Sequence, residues 1–143
     1  MVKQIANQVN KKIKIVFLLL VLTQALHSFE EYIGKLWEVF PPAFYLSNAV
    51  SNNPEKGFLI INIGLFIFGF SYWLILLPKH HLVYTGILWF WITIEIINGL
   101  GHPAWTIIRR SYTPGVATAP ILLIIAIYLA RQLLTLDTKK KQL

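Results

Sequence analysis

The sequence predicts an all-α integral membrane protein, a four-helix bundle with both termini in the cytoplasm. Of its 143 residues, 56% are hydrophobic and only 13% are charged, whereas an ordinary globular domain has about 25% charged residues. Four apolar segments each approach the roughly 20 residues that an α-helix needs to cross a membrane. No segment shows the roughly ten-residue alternation of a membrane β-strand. At this length the four segments form one domain, residues 1–143.

The four predicted spans follow one another with turn-forming residues between them. They cover about residues 15–34, 57–77, 81–100 and 117–134. The connections contain prolines and Asn-Pro or Pro-Gly pairs, which favour turns. Pro120 falls in the first turn of the last span, where its missing N–H costs least. The first span also begins as a signal peptide does, but its apolar character continues to Phe29 and Ile33, which favours a permanent span.

The basic residues determine the predicted orientation. With both ends inside, the cytoplasmic side carries nine of them: Lys3, Lys11, Lys12, Lys14, Lys79, Arg131, Lys139, Lys140 and Lys141. The other side carries four: Lys35, Lys56, Arg109 and Arg110. This bias favours cytoplasmic termini. The net charge of +7 therefore flanks the membrane, and it predicts contact with anionic lipids and not with nucleic acid.

Two polar clusters stand inside the first and third apolar segments. They consist of His27, Glu30 and Glu31 in the first and of Glu95, Asn98 and His102 in the third. Spacings of i, i+3, i+4 and of i, i+3, i+7 put each cluster along one helix face. The first and third spans run in the same direction, so both clusters fall in the non-cytoplasmic half of the membrane. Each ionisable side chain there costs roughly 2.5–3.5 kcal/mol, and we expect the two clusters to share one polar site.

A divalent metal, zinc or iron, is the sharpest hypothesis for this site. His27, Glu31 and His102 are the first-choice ligands, because two imidazoles and a carboxylate with an open position suit either ion. Glu30 or Glu95 would then be the general base or a bridging ligand, and Asn98 an orienting hydrogen-bond donor. The chain has no cysteine, which excludes thiolate metal sites and disulfides.

The connection before the fourth span is predicted to supply supporting residues. Arg109 and Arg110 would be countercharges for the carboxylates or would bind an anionic head group; the alternative is that they are solvated cations. Tyr112 opens the segment Tyr-Thr-Pro-Gly, residues 112–115. This composition is typical of a tight turn and favours a structural role.

The H-S-F-E-E box at residues 27–31, together with Asn98, His102 and the Y-T-P-G turn, resembles the HXXEE family of small bacterial membrane proteins. The resemblance extends from His27 to about Thr118. It implies a multi-spanning protein of the bacterial cell membrane that has these residues as its signature. It implies no particular activity.

Several functions stay open from the sequence alone, including whether the protein is an enzyme at all. The first hypothesis is a metal-dependent enzyme that acts on a lipid-like or small hydrophobic substrate. A metal-free acid–base enzyme could use the same Glu and His side chains. Conduction of protons or small cations, or the binding of a small ligand, is a third class. The last is a purely structural polar network between helices.

Overall fold

The structure is a computed structural model and describes residues 2–76 and 82–140. Over these residues the chain is helical and contains no strand, so the all-α prediction is confirmed. The helices are α1 (Val2–Ile33), α2 (Leu36–Val39), α3 (Pro41–Val50), α4 (Pro54–Ser71, extended by a π-helical turn at Tyr72–Leu76), α5 (Leu82–Arg109) and α6 (Ala119–Lys140). The predicted span boundaries at residues 77 and 81 lie outside the described residues.

The four long helices pack in the order α5, α6, α1, α4. Their apolar core joins α1, α5 and α6 through Phe17, Leu20, Trp91, Ile92, Leu122 and Leu129. Phe17 contacts both Tyr72 and Trp91 edge to face, with ring centroids 5.2 and 5.9 Å apart. Such aromatic pairs add to the stabilisation from burial alone. This core holds α1 and α5 in register, and the polar residues lie further along both helices.

The short helices α2 and α3 occupy the connection for which the sequence indicated only turn-forming residues. Pro41 and Pro42 begin α3 and do not interrupt it, because the first N–H groups of a helix have no intrahelical acceptor. Asn53 caps α4, since its Oδ1 accepts a bond from a first-turn backbone N–H at 3.1 Å. Gly57 allows α3 to approach α4 closely, because a Cβ there would overlap the carbonyl of Ser47.

Helix α5 extends well beyond the predicted end of the third span at Leu100. It continues through His102 and Pro103 to Arg109. Pro103 removes one N–H from the helix, but it does not end the helix. Helix α6 begins two residues later than predicted, at Ala119, so that Pro120 stands in its first turn as expected.

Two of the described helical stretches are long and apolar enough to cross a membrane, Lys11–Ile33 and Pro54–Ile75. A shorter apolar stretch covers Ala119–Thr135. Helix α1 also exposes a continuous stripe of large apolar side chains: Ile15, Leu19, Leu22, Leu26, Phe29 and Ile33. Exposed apolar surfaces of this kind mark contact with lipid or with a partner.

Candidate metal centre

One carboxylate oxygen stands between two imidazoles at the centre of the polar cluster. Oε1 of Glu31 lies 3.3 Å from Nε2 of His27 and 3.1 Å from Nε2 of His102. His27 and Glu31 come from successive turns of α1, and His102 comes from α5. The two imidazole rings meet edge to face, with centroids 4.7 Å apart. The side chains are buried, with 0%, 6% and 2% of His27, Glu31 and His102 exposed. The structure thus brings together the three residues predicted as metal ligands.

Two of the three separations between the donor atoms are close to those around a tetrahedral metal ion. One donor atom from each of the three residues lies within 4.8 Å of the others. Two ligand atoms that are each about 2.0–2.1 Å from a tetrahedral zinc are about 3.3 Å apart. The distances from Glu31 Oε1 to the two histidine nitrogens, 3.3 and 3.1 Å, are close to this value. Two histidines and one carboxylate are also the ligand set of non-haem Fe(II), so the residues present fit either ion.

A chain of hydrogen bonds determines which ring nitrogen of a neutral His27 carries the hydrogen atom. The hydroxyl of Thr118 donates to Glu30 Oε2 at 2.7 Å, and its oxygen lies 2.7 Å from His27 Nδ1. A hydroxyl has one hydrogen, so His27 Nδ1 must be the donor in the second contact. Nε2 of a neutral His27 then carries a lone pair. This buried nitrogen has no hydrogen-bond partner, and it faces a carboxylate oxygen that also offers only lone pairs. A cation or a proton between them would remove this conflict.

Glu30, predicted as a general base or bridging ligand, is bound instead to the segment between α5 and α6. Its carboxylate accepts five hydrogen bonds: from the Tyr112 hydroxyl at 2.5 Å, from three backbone N–H groups (Gly115, Ala117 and Thr118) at 3.0–3.1 Å, and from the Thr118 hydroxyl at 2.7 Å. Both oxygens are therefore occupied by donors, and the side chain ties α1 to the start of α6. Hydrogen bonding to the Glu30 carboxylate raises the pKa of Tyr112 to about 12.

Gly115, in the segment between α5 and α6, lies directly against both imidazole rings. Its φ of +94° is one that side-chain-bearing residues rarely adopt. A Cβ at this position would lie 2.7 Å from Cε1 of His27 and 2.7 Å from Cε1 of His102. A Cβ at Gly34, directly after α1, would likewise overlap the ring of Pro114. The Tyr-Thr-Pro-Gly segment therefore packs closely against both histidines and the end of α1.

Glu95 and Asn98 form a second buried polar group with residues of α1 and α4. Asn98 donates to Glu95 Oε2 at 3.3 Å, and Glu95 is fully buried. The Gln24 amide, with its nitrogen turned toward Glu95, donates to Oε2 at 2.7 Å and to Oε1 at 3.2 Å. The other end of the Gln24 amide is 3.2 Å from Ser28 Oγ. Ser28 in turn donates to Asn62 Oδ1 at 2.6 Å. The group thus links α5, α1 and α4.

Arg109 and Arg110 stand at the C-terminal end of α5. Arg109 donates to the Val39 carbonyl at 3.3 Å, and both side chains are exposed. Arg110 has a φ of 53° at the end of α5. Within the described part of the chain, neither arginine forms an ion pair with a carboxylate. The countercharge hypothesis therefore gains no support from these contacts, and binding of a head group stays a hypothesis.

A cavity of about 400 Å³ lies beside the centre. Glu31 and His102 contribute polar atoms to its wall. Its apolar lining comes from α2 to α5 and includes Leu36, Ala43, Leu46, Phe58, Ile61, Leu65, Ile94 and Ile97. Gln24 and Asn98, the two partners of Glu95, also line it. An apolar volume is thus in contact with two of the three predicted ligands.

Gln24 and Thr118 were not predicted from the sequence, and Gly115 was predicted only as part of a tight turn. Gln24 precedes His27 by three positions on the same helix, and this spacing places the two side chains on one face. The spacing could therefore have identified Gln24 as a residue of the site. Gly115 and Thr118 lie in an irregular segment, where no helical period relates one residue to another. Their contacts with α1 depend on the tertiary fold.

Comparison with known proteins gave one family. A family model described as a protein of unknown function with HXXEE motif matches residues 18–129. The match includes all three predicted ligands and the segment that binds Glu30. Neither the comparison with curated proteins nor the comparison with solved structures gave a match.

Proposed function

The chain belongs to the HXXEE family, and from the geometry of its motif we propose that it is a metal-dependent membrane enzyme acting on a lipid-like or small hydrophobic substrate. The observation that carries this proposal is Nε2 of His27, which is buried without a hydrogen-bond partner and lies 3.3 Å from a Glu31 oxygen. His102 Nε2, 3.1 Å from the same oxygen, completes a set of three ligands. Catalytic zinc sites use three such ligands and keep a fourth position for water or substrate.

The proposed roles follow from the contacts of each side chain. The metal would act as a Lewis acid on water or on a substrate oxygen, and the adjoining cavity would hold the apolar part of the substrate. Glu95 stays the proposed general base; it is buried behind Gln24 and Asn98, which line that cavity, so one of these two side chains would have to move to expose its carboxylate. Glu30 is proposed as a positioning residue, since its oxygens are occupied by donors and it acts on His27 through Thr118.

Metal analysis tests the proposal directly. Protein purified in detergent without chelators should contain about one zinc or iron per chain, measured by mass spectrometry of the elements. His102→Gln removes one of three ligands and should lower the metal content at least about tenfold. Glu38→Gln, at an exposed position on α2, is the control and should leave the metal content unchanged. Wild-type protein that holds no metal, and takes up none from added Zn²⁺ or Fe²⁺, would contradict the proposal.

The contact between Thr118 and His27 gives a second prediction. Thr118→Val keeps the shape of the side chain but leaves His27 Nδ1 buried without a partner. We expect a loss of about 1–3 kcal/mol in stability and a 10- to 100-fold loss in metal affinity. Thr118→Ser restores the hydroxyl and should recover most of both. Measured zinc affinity decides the matter, and equal affinity in the valine and wild-type proteins would refute the positioning role.

Four membrane spans with both termini in the cytoplasm are part of the proposal. The two helices that satisfy the criteria for a span support it, as do the apolar side chains that α5 and α6 expose, among them Ile97, Leu100, Ile121 and Ile124. The nine-to-four basic asymmetry of the sequence supports the orientation. Membrane lipids would be the partners of these surfaces.

Reporter fusions test this topology. A reporter placed at the N-terminus and one placed at the C-terminus should both report the cytoplasm, because an even number of spans returns the chain to its starting side. A third reporter inserted after Asn52, between α3 and α4, should report the opposite side. Finding the two termini on different sides would exclude four spans.

One observation favours a second candidate, metal-free acid–base catalysis. The 3.1 Å between His102 Nε2 and Glu31 Oε1 is also a distance that a shared proton spans. A proton shared by His102 and Glu31 would take the place of the metal between these two side chains. The pair could then exchange this proton with a substrate. Lipid turnover by protein shown to be metal-free, and unaffected by chelators, would favour this candidate.

A further inference from the structure

An apolar groove runs along α4 and α5 and adjoins the cavity of the candidate metal centre. It has a volume of about 630 Å³. The described residues that line it carry no polar side chain: Ile60, Ile61, Gly64, Leu65 and Phe68 on α4, with Gly86, Ile87 and Phe90 on α5. Ile61 and Leu65 also line the cavity beside the centre. The groove and the cavity therefore share a wall.

Aromatic packing and two glycines shape the groove. Phe68 packs against Phe90 and Trp91, each with ring centroids 6.5 Å apart, and this packing joins α4 to α5. A Cβ placed at Gly64 or at Gly86 would meet no atom within 4 Å. These two positions therefore face open space, and a larger side chain at either of them would enter that space without a backbone clash.

The length and chemistry of this path match one long alkyl chain. Gly86 precedes His102 by 16 positions on α5, which corresponds to about 24 Å at 1.5 Å per residue. The cavity end of the path has the polar atoms of Glu31 and His102, together with Gln24, Ser47, Asn62 and Asn98, and the groove beyond it is lined by apolar residues. A molecule with a polar head and a long apolar chain satisfies both ends at once.

The groove is also open on the outer side of the helices, where alkyl chains would be the surrounding solvent. Phe68 and Phe90 are 43% and 48% exposed. A lipid chain could therefore enter sideways from the bilayer, without passing through water. A second copy of the protein would need a complementary ridge along the same length, whereas a flexible chain adapts to the groove.

We propose that the α4–α5 groove binds one long alkyl chain of a membrane lipid whose polar head lies at the His27–Glu31–His102 centre. The position of the head rests on the proposed function. The chain site stands on its own apolar lining, so it can be tested separately from the metal.

The test fills the groove by substitution and follows a photoreactive probe. The probe is a palmitic acid analogue with a diazirine near the end of its chain, added to the detergent-purified protein. In the wild type we expect cross-links within residues 60–68 and 86–90, located by mass spectrometry of peptides. Gly64→Leu and Gly86→Leu should each lower cross-linking about tenfold, equivalent to about 1.4 kcal/mol of binding.

Gly101→Leu is the matched control. A Cβ at Gly101 likewise meets no atom within 4 Å, but Gly101 is absent from the groove lining, so its substitution should leave cross-linking unchanged. All three variants place leucine in a helix at an uncrowded position, and leucine favours the helix over glycine. Circular dichroism and thermal unfolding verify that each variant is folded.

The outcomes separate the chain site from the metal centre. Loss of groove cross-links in the Gly64 and Gly86 variants with the metal retained supports both proposals. The same loss in protein that never binds metal supports the chain site and overturns the metal function. Cross-links spread evenly over the exposed faces of α1 and α6, or unaffected by the two leucines, overturn the chain site. A dimer that the leucines disrupt would assign the groove to a second copy of the chain, which also overturns it.

Discussion

Replacing Glu31 with glutamine is expected to lower zinc or iron affinity by more than about a hundredfold, because it removes the one ligand that contacts both histidines. Oε1 of Glu31 lies within 3.3 Å of His27 and of His102, and Glu31 is the carboxylate of the buried His27–Glu31–His102 group. Glutamine keeps the volume of the side chain, and the protein should still insert and fold. Any turnover of a lipid-like substrate should be lost with the metal.

The control for this change is Glu55→Gln. Glu55 is exposed on α4 and accepts a bond from Tyr32 at 2.8 Å, and the amide oxygen of glutamine can accept the same bond. Metal content and activity should therefore equal those of the wild type. If Glu31→Gln raises the thermal unfolding temperature and leaves metal content and activity intact, the polar group is a packing device and the enzyme proposal is wrong.

Replacing Gly115 with alanine is expected to disrupt the site without removing any of its ligands. The added Cβ would stand 2.7 Å from a ring carbon of His27 and 2.7 Å from one of His102, so the imidazoles or the backbone of the segment must shift. The backbone φ of +94° adds strain of about 1–2 kcal/mol, and overpacking adds about 1–3 kcal/mol. We expect the metal to be lost and the thermal unfolding temperature in detergent to fall.

The matched change is Gly101→Ala on α5, where a Cβ meets no atom within 4 Å. Alanine favours a helix over glycine by about 1 kcal/mol, so this variant should be as stable as the wild type or slightly more stable. Since Gly101 is next to His102, it also tests whether any change near the ligand disturbs the site. Equal metal affinity for Gly115→Ala and wild type would show that the segment does not constrain the histidines.

Helical periodicity and depth in the membrane predict one site formed by His27, Glu30, Glu31, Glu95, Asn98 and His102. His27, Glu31 and His102 do lie in one buried group, whereas Glu30 binds the segment before α6 and Glu95 pairs with Asn98 and Gln24. Periodicity and depth both depend on the rise and turn of a helix, which are the same in every sequence. The C-terminal end of α5 was harder to predict from the sequence, since proline usually ends a helix. Pro103 nevertheless stands inside α5; α5 packs along α6, and tertiary packing of this kind overrides a local preference.

Glu30 and Glu31 show where periodicity stops being informative. They are neighbours in the sequence, about 100° apart around α1, and both lie near the face of His27. Which of them meets α5 and which meets α6 depends on where those helices stand. Glu31 meets His102, and Glu30 meets the turn around Gly115. A turn has no period, so the five donors to Glu30 could not be assigned from its sequence.

The ligands of the proposed metal come from two helices far apart in the chain, and the chain has no cysteine to join them by a disulfide. An ion held by His27 on α1 and by His102 on α5 would close a loop of about 75 residues. On the chain-entropy model, a covalent cross-link that closes a loop of that size raises the free energy of the unfolded chain by about 4 kcal/mol. An ionic cross-link differs in that it opens whenever the ion leaves, so resistance to unfolding would rise and fall with the free concentration of the metal. A low free concentration of the metal would then lower the stability of the folded protein as well as its activity.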